Sequence, residues 1–491
     1  MIINKSKLSS IKELREVFKV IENQYARFFM VGGISIFKTW RYHAVSNIDK
    51  KNQNDEKISI IRLLLSAFKY LIHCNRKQKI SNRNYKINKK THIIFIVQTI
   101  SHLKSLKPLI SYISKQKEMN YLIICDTDVN IKAFIKKNNI NHINSNHFPI
   151  SIRKVMLFQF KIIYNILRFI KDLNEGLIDE NIKMSSWLFL KNKAIITAHK
   201  LFFINEVLKK IKPSCLFIFN QDLSLSQIAN QVAKKMNIKT FYLQHGNIGL
   251  FNPFYSSIDS DIAIVSGEND KGIIKELGCK SKFIFKAGRP IFDEIYSLKI
   301  KNQKLKIEQI KNGNPIITFF PNRISGLLKK SLNMINYIEV LETAKCMPDM
   351  NFVIKFHPNE ALIERSNIIK EYNENNNIII LHKEYESTDI LTATDVCITM
   401  FSTTGFEAIL LDKPLIIMNI DFPEFIDEAI FKGASINLVK KNKLAGIIRD
   451  ILNSKYKKLL SEGRAKVIEK SVYKFDGKSS ERVFELIKNS I

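Results

Sequence analysis

Cysteine is scarce in this chain and never paired. The six residues, at positions 74, 125, 215, 279, 346 and 397, stand singly, with no CxxC and no clustered ligand spacing. That excludes a disulfide framework and a zinc module, and predicts reduced thiols in a cytoplasmic protein. Long apolar runs are missing too. None approaches the roughly 20 residues a spanning helix needs, and the best candidate, 58–72, carries Arg62 and Lys69. The start, Met1-Ile2-Ile3-Asn4-Lys5, has neither the apolar core nor the small-residue cleavage site of a signal peptide. Several catalytic signatures are absent as well. There is no P-loop (GxxxxGK followed by Ser or Thr), no GxGxxG, no HExxH and no GxSxG. ATPase, dehydrogenase, zincin and hydrolase-elbow chemistries therefore lose their sequence support.

Acidic residues are few relative to basic ones. The chain holds 46 Asp and Glu against 77 Lys and Arg, a formal charge of +31. Lys, Asn and Ile crowd the sequence, a bias expected of AT-rich coding, so part of that charge carries no functional message. Its distribution says more. Residues 1–90 hold 20 Lys and Arg against 6 Asp and Glu. A basic surface attracts anionic lipid headgroups as readily as nucleic acid. No helix-turn-helix, zinc-finger or RNP-like aromatic signature is visible. The expected partner is an anionic membrane surface or acceptor, and no nucleic acid is expected.

What is present is enough for ordinary globular cores. The chain is 45% hydrophobic and 491 residues long, which predicts two or more domains. Residues 1–90 read as a basic, mostly helical extension with helical spacing over 11–21 and 58–72, then a basic linker over 75–90. From residue 92 the pattern changes. His92-Ile93-Ile94-Phe95-Ile96-Val97 is a buried-strand run, 101–114 has helical spacing, and Tyr121-Leu122-Ile123-Ile124-Cys125 is another strand. That alternation is the βαβ pattern of a parallel sheet. Residues 151–210 read as helical. Within them 155–170 mixes Lys161 and Arg168 with large apolars, either a basic helix on a membrane or a core helix with snorkelling cations. Strands resume at 215–220, 240–243, 261–265 and 283–285. A lysine-rich stretch, 297–313, reads as a linker. A second α/β unit follows, with strands at 315–320, 352–356, 378–381, 395–400 and 415–418. The expected domains are thus 1–90, 91–300 and 301–491.

The richest stretch is Phe401-Ser402-Thr403-Thr404-Gly405-Phe406-Glu407, between a strand and a short helix. Its hydroxyls and backbone N–H groups are donors suited to a phosphate, at the strand end where open α/β sheets bind ligands. Glu407 could hold a ribose hydroxyl or simply complement the helix dipole. His357 ends the strand 352–356, and Pro358 biases it to extended backbone. There it could donate to a phosphate oxygen, or be satisfied by backbone. His245 ends the strand 240–243 in Gln244-His245-Gly246 and suits a general base toward an acceptor hydroxyl. A turn histidine bonded to backbone is the alternative, and Asp222, Glu268 and Asp270 are acidic alternatives nearby. Two Asp-x-Asp sites, Asp126/Asp128 and Asp259/Asp261, could bridge phosphates through Mg²⁺. The spacing is common in loops, so both are assigned mainly to turn chemistry and no metal is expected.

The order of these motifs resembles the GT-B-type transferases of bacterial surface polysaccharides, most of all the CDP-glycerol glycerophosphotransferase and capsule-biosynthesis group. The matching elements are Gln244-His245-Gly246, Ser266-Gly267-Glu268, Gly288-Arg289-Pro290-Ile291-Phe292-Asp293, His357-Pro358, and the run from Ala393 through Ser402–Ala408 to Lys413-Pro414. The resemblance spans roughly 91–485. It implies two Rossmann-like domains facing a cleft, beyond the basic extension. It implies His245 and His357 as catalytic residues, and His357, Ser402, Thr403, Thr404, Gly405 and Glu407 as donor phosphate and nucleotide ligands. Gln244, Gly246, Glu268 and Arg289 would line the cleft. It also implies no cofactor beyond a CDP-, CMP- or UDP-linked donor, a polysaccharide or lipid-linked acceptor, and peripheral attachment at the inner face of the cytoplasmic membrane. The transferred group would be glycosyl or glycerophosphoryl. Two rivals stand beside this: a nucleotide-sugar 2-epimerase, whose Gly-Thr-Arg-Pro-Glu motif is replaced here by Val97-Gln98-Thr99-Ile100-Ser101, and a non-catalytic basic binding protein for anionic lipid or RNA.

Overall fold

The computed structural model describes residues 5–47, 91–125, 129–138, 140–144, 151–174, 180–220, 222–248, 258–301, 305, 307, 310, 313–321, 330–356, 376–381, 385–400, 402–418, 420, 431 and 433–491. The helical spacing at 58–72 and the stretch 75–90 lie outside them. So do His357, Pro358, Phe401 and the pair Asp126 and Asp128.

The chain divides into two compact units. One comprises 3–265, 271–286 and 480–491, the other 266–270 and 287–479. Each is built on one all-parallel sheet, described here by itself.

The first unit opens with the helix Lys5–Tyr25, a one-turn helix, Ala26–Phe29, and a two-residue hairpin of β1 (Met30–Val31) and β2 (Ile34–Ser35). Then come the helix Phe37–Asn47 and the strands β3 (Ile93–Val97), β4 (Tyr121–Cys125), β5 (His142–Asn144), β6 (Cys215–Ile218), β7 (Lys239–Leu243), β8 (Ile262–Val265) and β9 (Phe283–Lys286). Their spatial order is β5-β4-β3-β6-β7-β8-β9, every pair parallel. Central strands such as Ile93-Ile94-Phe95-Ile96-Val97 are buried at every position. That is why they read as unbroken apolar runs: helices cover both faces of a parallel sheet. Region 151–210 is helical as expected, in three helices, Ile152–Asn174, Glu180–Asn192 and Ala194–Ile211.

Residues 15–47 join this unit's core rather than trailing from it. Phe29, Trp40 and Phe169 form an aromatic knot with ring centroids 4.8, 4.9 and 5.3 Å apart. The Trp40 indole N–H donates to Ser186 Oγ at 3.1 Å, so its polar edge is satisfied while its rings are buried. Two of the cations that make the leader basic are buried too. Lys38 pairs with Asp259 at 3.1 Å and Arg41 with Asp222 at 3.8 Å.

The second unit holds β10 (Ile316–Phe320), β11 (Asn351–Lys355), β12 (Ile378–Leu381), β13 (Val396–Thr399), β14 (Leu415–Met418) and β15 (Ile436–Leu438). The order is β12-β11-β10-β13-β14-β15, again all parallel. The stretch read as a linker, 297–313, begins inside a helix, Ile291–Lys301. Phe292 and Ile295, spaced i and i+3, anchor that helix in the core under β13 and β14.

Both sheets are Rossmann-like, and each has one place where strand order reverses. In the first unit it lies between β3 and β6, in the second between β10 and β13. Open α/β sheets bind ligands outside the carboxyl ends of the strands at that point, because the two flanking loops diverge there.

Candidate active site

The first switch point gathers residues from three loops. After β7 the chain runs into Gln244-His245-Gly246. The His245 Nδ1 lies 2.8 Å from the carbonyl oxygen of Phe219, which follows β6. A carbonyl only accepts, so Nδ1 carries the proton and the neutral ring keeps Nε2 as its basic nitrogen. The turn is held from below by Gln244, which is buried and donates through Nε2 to the Gly246 carbonyl at 2.9 Å. His245 itself is half-buried.

The third loop supplies a residue that sequence reading missed. His102 sits in the first turn of the helix Ile100–Gln116, which follows β3 and is capped by Thr99. Its ring meets that of His245 edge to face, centroids 4.4 Å apart, and is wholly buried. The Gln98 backbone N–H donates to His102 Nδ1 at 3.3 Å, which places the neutral ring's proton on Nε2. Burial, and secondarily the neighbouring His245, hold His102 well below the usual histidine range. His102 is thus a neutral prop under His245. A capping threonine three residues before a histidine was its only sequence signal. Gln98 also braces the site, its side-chain oxygen accepting from the Ser226 N–H and hydroxyl at 2.8 and 2.9 Å.

The second switch point carries the hydroxyl turn that follows β13. Ser402 Oγ accepts from the Thr404 N–H at 3.2 Å and donates to Thr404 Oγ1 at 3.1 Å. The following helix, Thr404–Leu410, has seven residues, so hydroxyls and backbone N–H groups rather than a long dipole are what the turn offers. Gly405 has a packing reason to be glycine: a Cβ there would come 2.9 Å from Cζ of Phe431. Arg289 is buried here, its guanidinium 4.3 Å from the Phe292 ring and 5.5 Å from that of Phe406. Desolvation pulls its pKa down, while Asp270 and Glu407 act to raise it. The structure thus brings Arg289, Glu407 and the hydroxyl turn together within one unit. Glu268 is exposed at the start of its helix. Its neighbours are structural: Ser266 Oγ donates to the Ser471 carbonyl at 2.6 Å, and a Cβ on Gly267 would strike the backbone of Lys470 and Ser471 at 2.5 Å.

The second Asp-x-Asp site is occupied by protein partners. Asp259 accepts from Asn230 and Gln231 and pairs with Lys38, and Asp261 accepts from the Thr240 N–H and hydroxyl, both at 2.8 Å. Among the described residues, no group of three or more His, Cys, Asp or Glu is placed to hold a metal ion.

Comparison with known proteins gives three findings. Residues 171–489 match the family model described as CDP-Glycerol:Poly(glycerophosphate) glycerophosphotransferase. A curated relative, Lipid-A-disaccharide synthase 1 of Legionella pneumophila (strain Paris), is 24% identical over 220 residues, 44% of this chain and 55% of the relative. The match therefore spans about half the length of that relative. Among solved structures, the UDP-GlcNAc 2-epimerase of Neisseria meningitidis bound to UDP-GlcNAc superposes with a TM-score of 0.56 at 15% identity, over 82% of this chain and 100% of that one. The UDP-GlcNAc 2-epimerase of Methanocaldococcus jannaschii with UDP-GlcNAc and UDP gives 0.51 at 17%, over 82% and 100%. At such identities these structures establish the fold, which is of the GT-B type.

Proposed function

The chain belongs to the CDP-glycerol:poly(glycerophosphate) glycerophosphotransferase family, and from that premise we propose that it transfers a glycerophosphoryl or glycosyl group from a nucleotide donor. The acceptor is a surface polysaccharide or a lipid-linked precursor of one, presented at the inner face of the cytoplasmic membrane. The observation that carries this reading is the fixed tautomer of His245, held beside a topological switch point by groups from its two flanking loops. A neutral imidazole with Nε2 as its basic nitrogen accepts a proton from an acceptor hydroxyl as that oxygen attacks the donor. His102 keeps the ring in place, and its own neutrality avoids a second positive charge beside the imidazolium that forms.

On the other unit, the donor's phosphates meet Ser402, Thr403 and Thr404, with the backbone of Gly405. His357 donates to the leaving phosphate, and Glu407 orients the nucleotide. His357 stabilises charge that develops as the nucleotide departs, by roughly 2.7–4 kcal/mol, while the hydroxyls of the turn hold the phosphates before and during transfer alike. In the first unit Gln244 and Gly246 shape the turn that presents His245, and in the second Glu268 and Arg289 lie on the donor side. No cofactor other than the CDP-, CMP- or UDP-linked donor is required by this scheme.

Thermal unfolding against CMP, CDP, UDP, GDP and their activated donors tests the donor half. A ligand at 100 times its Kd adds about 2.7 kcal/mol of stability. Stabilisation by cytidine nucleotides that disappears in His357→Ala supports glycerophosphoryl transfer. Product formation from donor alone, without acceptor, would replace the transferase reading by the epimerase one. A protein that ignores every nucleotide while folded would point to the binding scaffold.

A further inference from the structure

The helix Ile152–Asn174 has one face buried in the core and one exposed. Val155, Ile162, Ile166 and Phe169 are buried in the first unit's core. The outward face carries Leu157, Phe160 and Tyr164, which are 56%, 48% and 60% exposed. Their spacing of three and four residues stacks them on one side of the helix. Cations surround them: Arg153, Lys154, Lys161, Arg168 and Lys171 are all exposed. From 153 to 171 the face runs for about 27 Å at 1.5 Å per residue.

Among the described residues around this face, acidic groups are few. The helix's one carboxylate, Asp172, pairs with Arg27 at 3.2 Å, and Glu206 of the Ala194–Ile211 helix meets Lys154 at 3.7 Å. The apolar area extends beyond the helix. Met30, 42% exposed, lies alongside, its carbonyl accepting from Asn165 Nδ2 at 2.8 Å. Arg168 lies over both Tyr164 and Phe28, 5.7 and 5.6 Å from the ring centroids.

A solvent-facing helix side normally mixes charges of both signs and keeps large apolar groups single. This one has leucine, phenylalanine and tyrosine at its centre and cations around them. That is the composition of a helix lying in a bilayer interface: apolar groups enter the headgroup boundary while lysine and arginine reach lipid phosphates. We propose that this face docks the protein on a membrane containing anionic lipid. The occupant follows from charge complementarity, since an anionic bilayer answers the cations and the apolar centre together. The proposal deepens the transferase reading, on which it rests for a lipid-linked acceptor.

The test uses the full chain and flotation with phosphatidylcholine vesicles, with and without about one-third phosphatidylglycerol. Wild type should float with the anionic vesicles only, and added salt should release it. Leu157→Glu with Phe160→Glu should lower partitioning at least tenfold. Arg153→Gln and Lys161→Gln should each lower it by about fivefold, the effect of losing one cation near the surface. All variants should unfold at the wild-type temperature, because the altered groups are exposed. Wild type that ignores anionic vesicles, or variants that bind them equally well, would overturn the proposal. So would self-association that the apolar variant abolishes, which would assign the face to a second copy. Flotation needs neither donor nor acceptor. A protein that fails to float yet is stabilised by its donor loses only the docking face, whereas one that floats but answers no donor loses the transferase reading.

Discussion

The two switch points occupy the same place in two parallel sheets, yet they hold their polar groups differently. After β7, His245 is fixed by groups distant in sequence, the Phe219 carbonyl and the His102 ring. After β13, the turn 402–404 is closed by its own hydroxyls, with Arg289 and Phe431 packed around it. Orientation imposed from outside defines one tautomer of one ring. A turn that closes on itself keeps several small donors close together. The first arrangement suits proton transfer, which depends on a single lone pair. The second suits a phosphate, which accepts from many directions.

The largest effect that would break this comparison is on rate. General-base catalysis contributes about 10²- to 10⁴-fold, so His245→Ala should lower turnover by that factor. Because His245 is half-buried, its unfolding temperature should move little. Ser402→Ala should change turnover far less. Steady-state kinetics on both variants decides it, and equal losses would abolish the distinction drawn here.

The next effect separates the units by acid. The first unit contains His43 and His102, both with pKa values lowered chiefly by burial, His43 to about 4. Their unfolded pKa is near 6.5. Unfolded chains therefore bind protons that the folded protein refuses. Stability is fully present above about pH 6.5 and falls as the pH drops toward 4, by about 1.4 kcal/mol per pH unit for each histidine. The described residues of the second unit include no histidine. Urea denaturation across this range should show the first unit weakening, with a flatter slope in His43→Phe. A slope unchanged in that variant would remove His43 from the explanation.

Sequence made some of this architecture readable and concealed the rest for definite reasons. The strands announced themselves because parallel strands are apolar at every position, as in 93–97. The Gln244-His245-Gly246 turn and the hydroxyl turn stood at strand ends, where position alone suggests a ligand site. His102 was hidden because its role depends on a ring delivered from a strand two places away in the sheet. The leader's core role was hidden by its charge. Lys38 and Arg41 read as solvent-facing cations, but their carboxylate partners Asp259 and Asp222 lie about 180 to 220 residues further on, and buried cations persist only when so paired. The 297–313 stretch starts inside the helix Ile291–Lys301, and its lysines hid Ile307, which is buried in the second unit's core.

A smaller effect concerns packing beneath the hydroxyl turn. Gly405→Ala would press a methyl against Phe431, whose Cζ would lie 2.9 Å from it. Overpacking of that kind costs about 1–3 kcal/mol. Calorimetry should find the loss in the second unit, with the His245 tautomer undisturbed by NMR. A variant as stable as wild type would mean that Phe431 yields easily, and that the glycine answers to the ligand instead.

The smallest effect is the most discriminating. Ser402 Oγ closes its own turn by accepting from the Thr404 N–H, and a side-chain bond to backbone of this kind contributes roughly 0.5–1.5 kcal/mol. The same hydroxyl can turn its proton from Thr404 Oγ1 to a phosphate oxygen without giving up that bond, since it has two lone pairs and one proton. Ser402→Ala should therefore do two separable things. It should lower stability by about 1 kcal/mol through the lost turn bond. It should also weaken donor binding by about tenfold, the effect of one hydrogen bond to a charged group. If stability falls and donor affinity holds, the turn is architecture, and the donor's phosphates are held by Thr403 and the backbone. If affinity falls alone, the hydroxyl faces the ligand and the turn closes without it. Only both losses together support a turn that organises itself so as to present its donors.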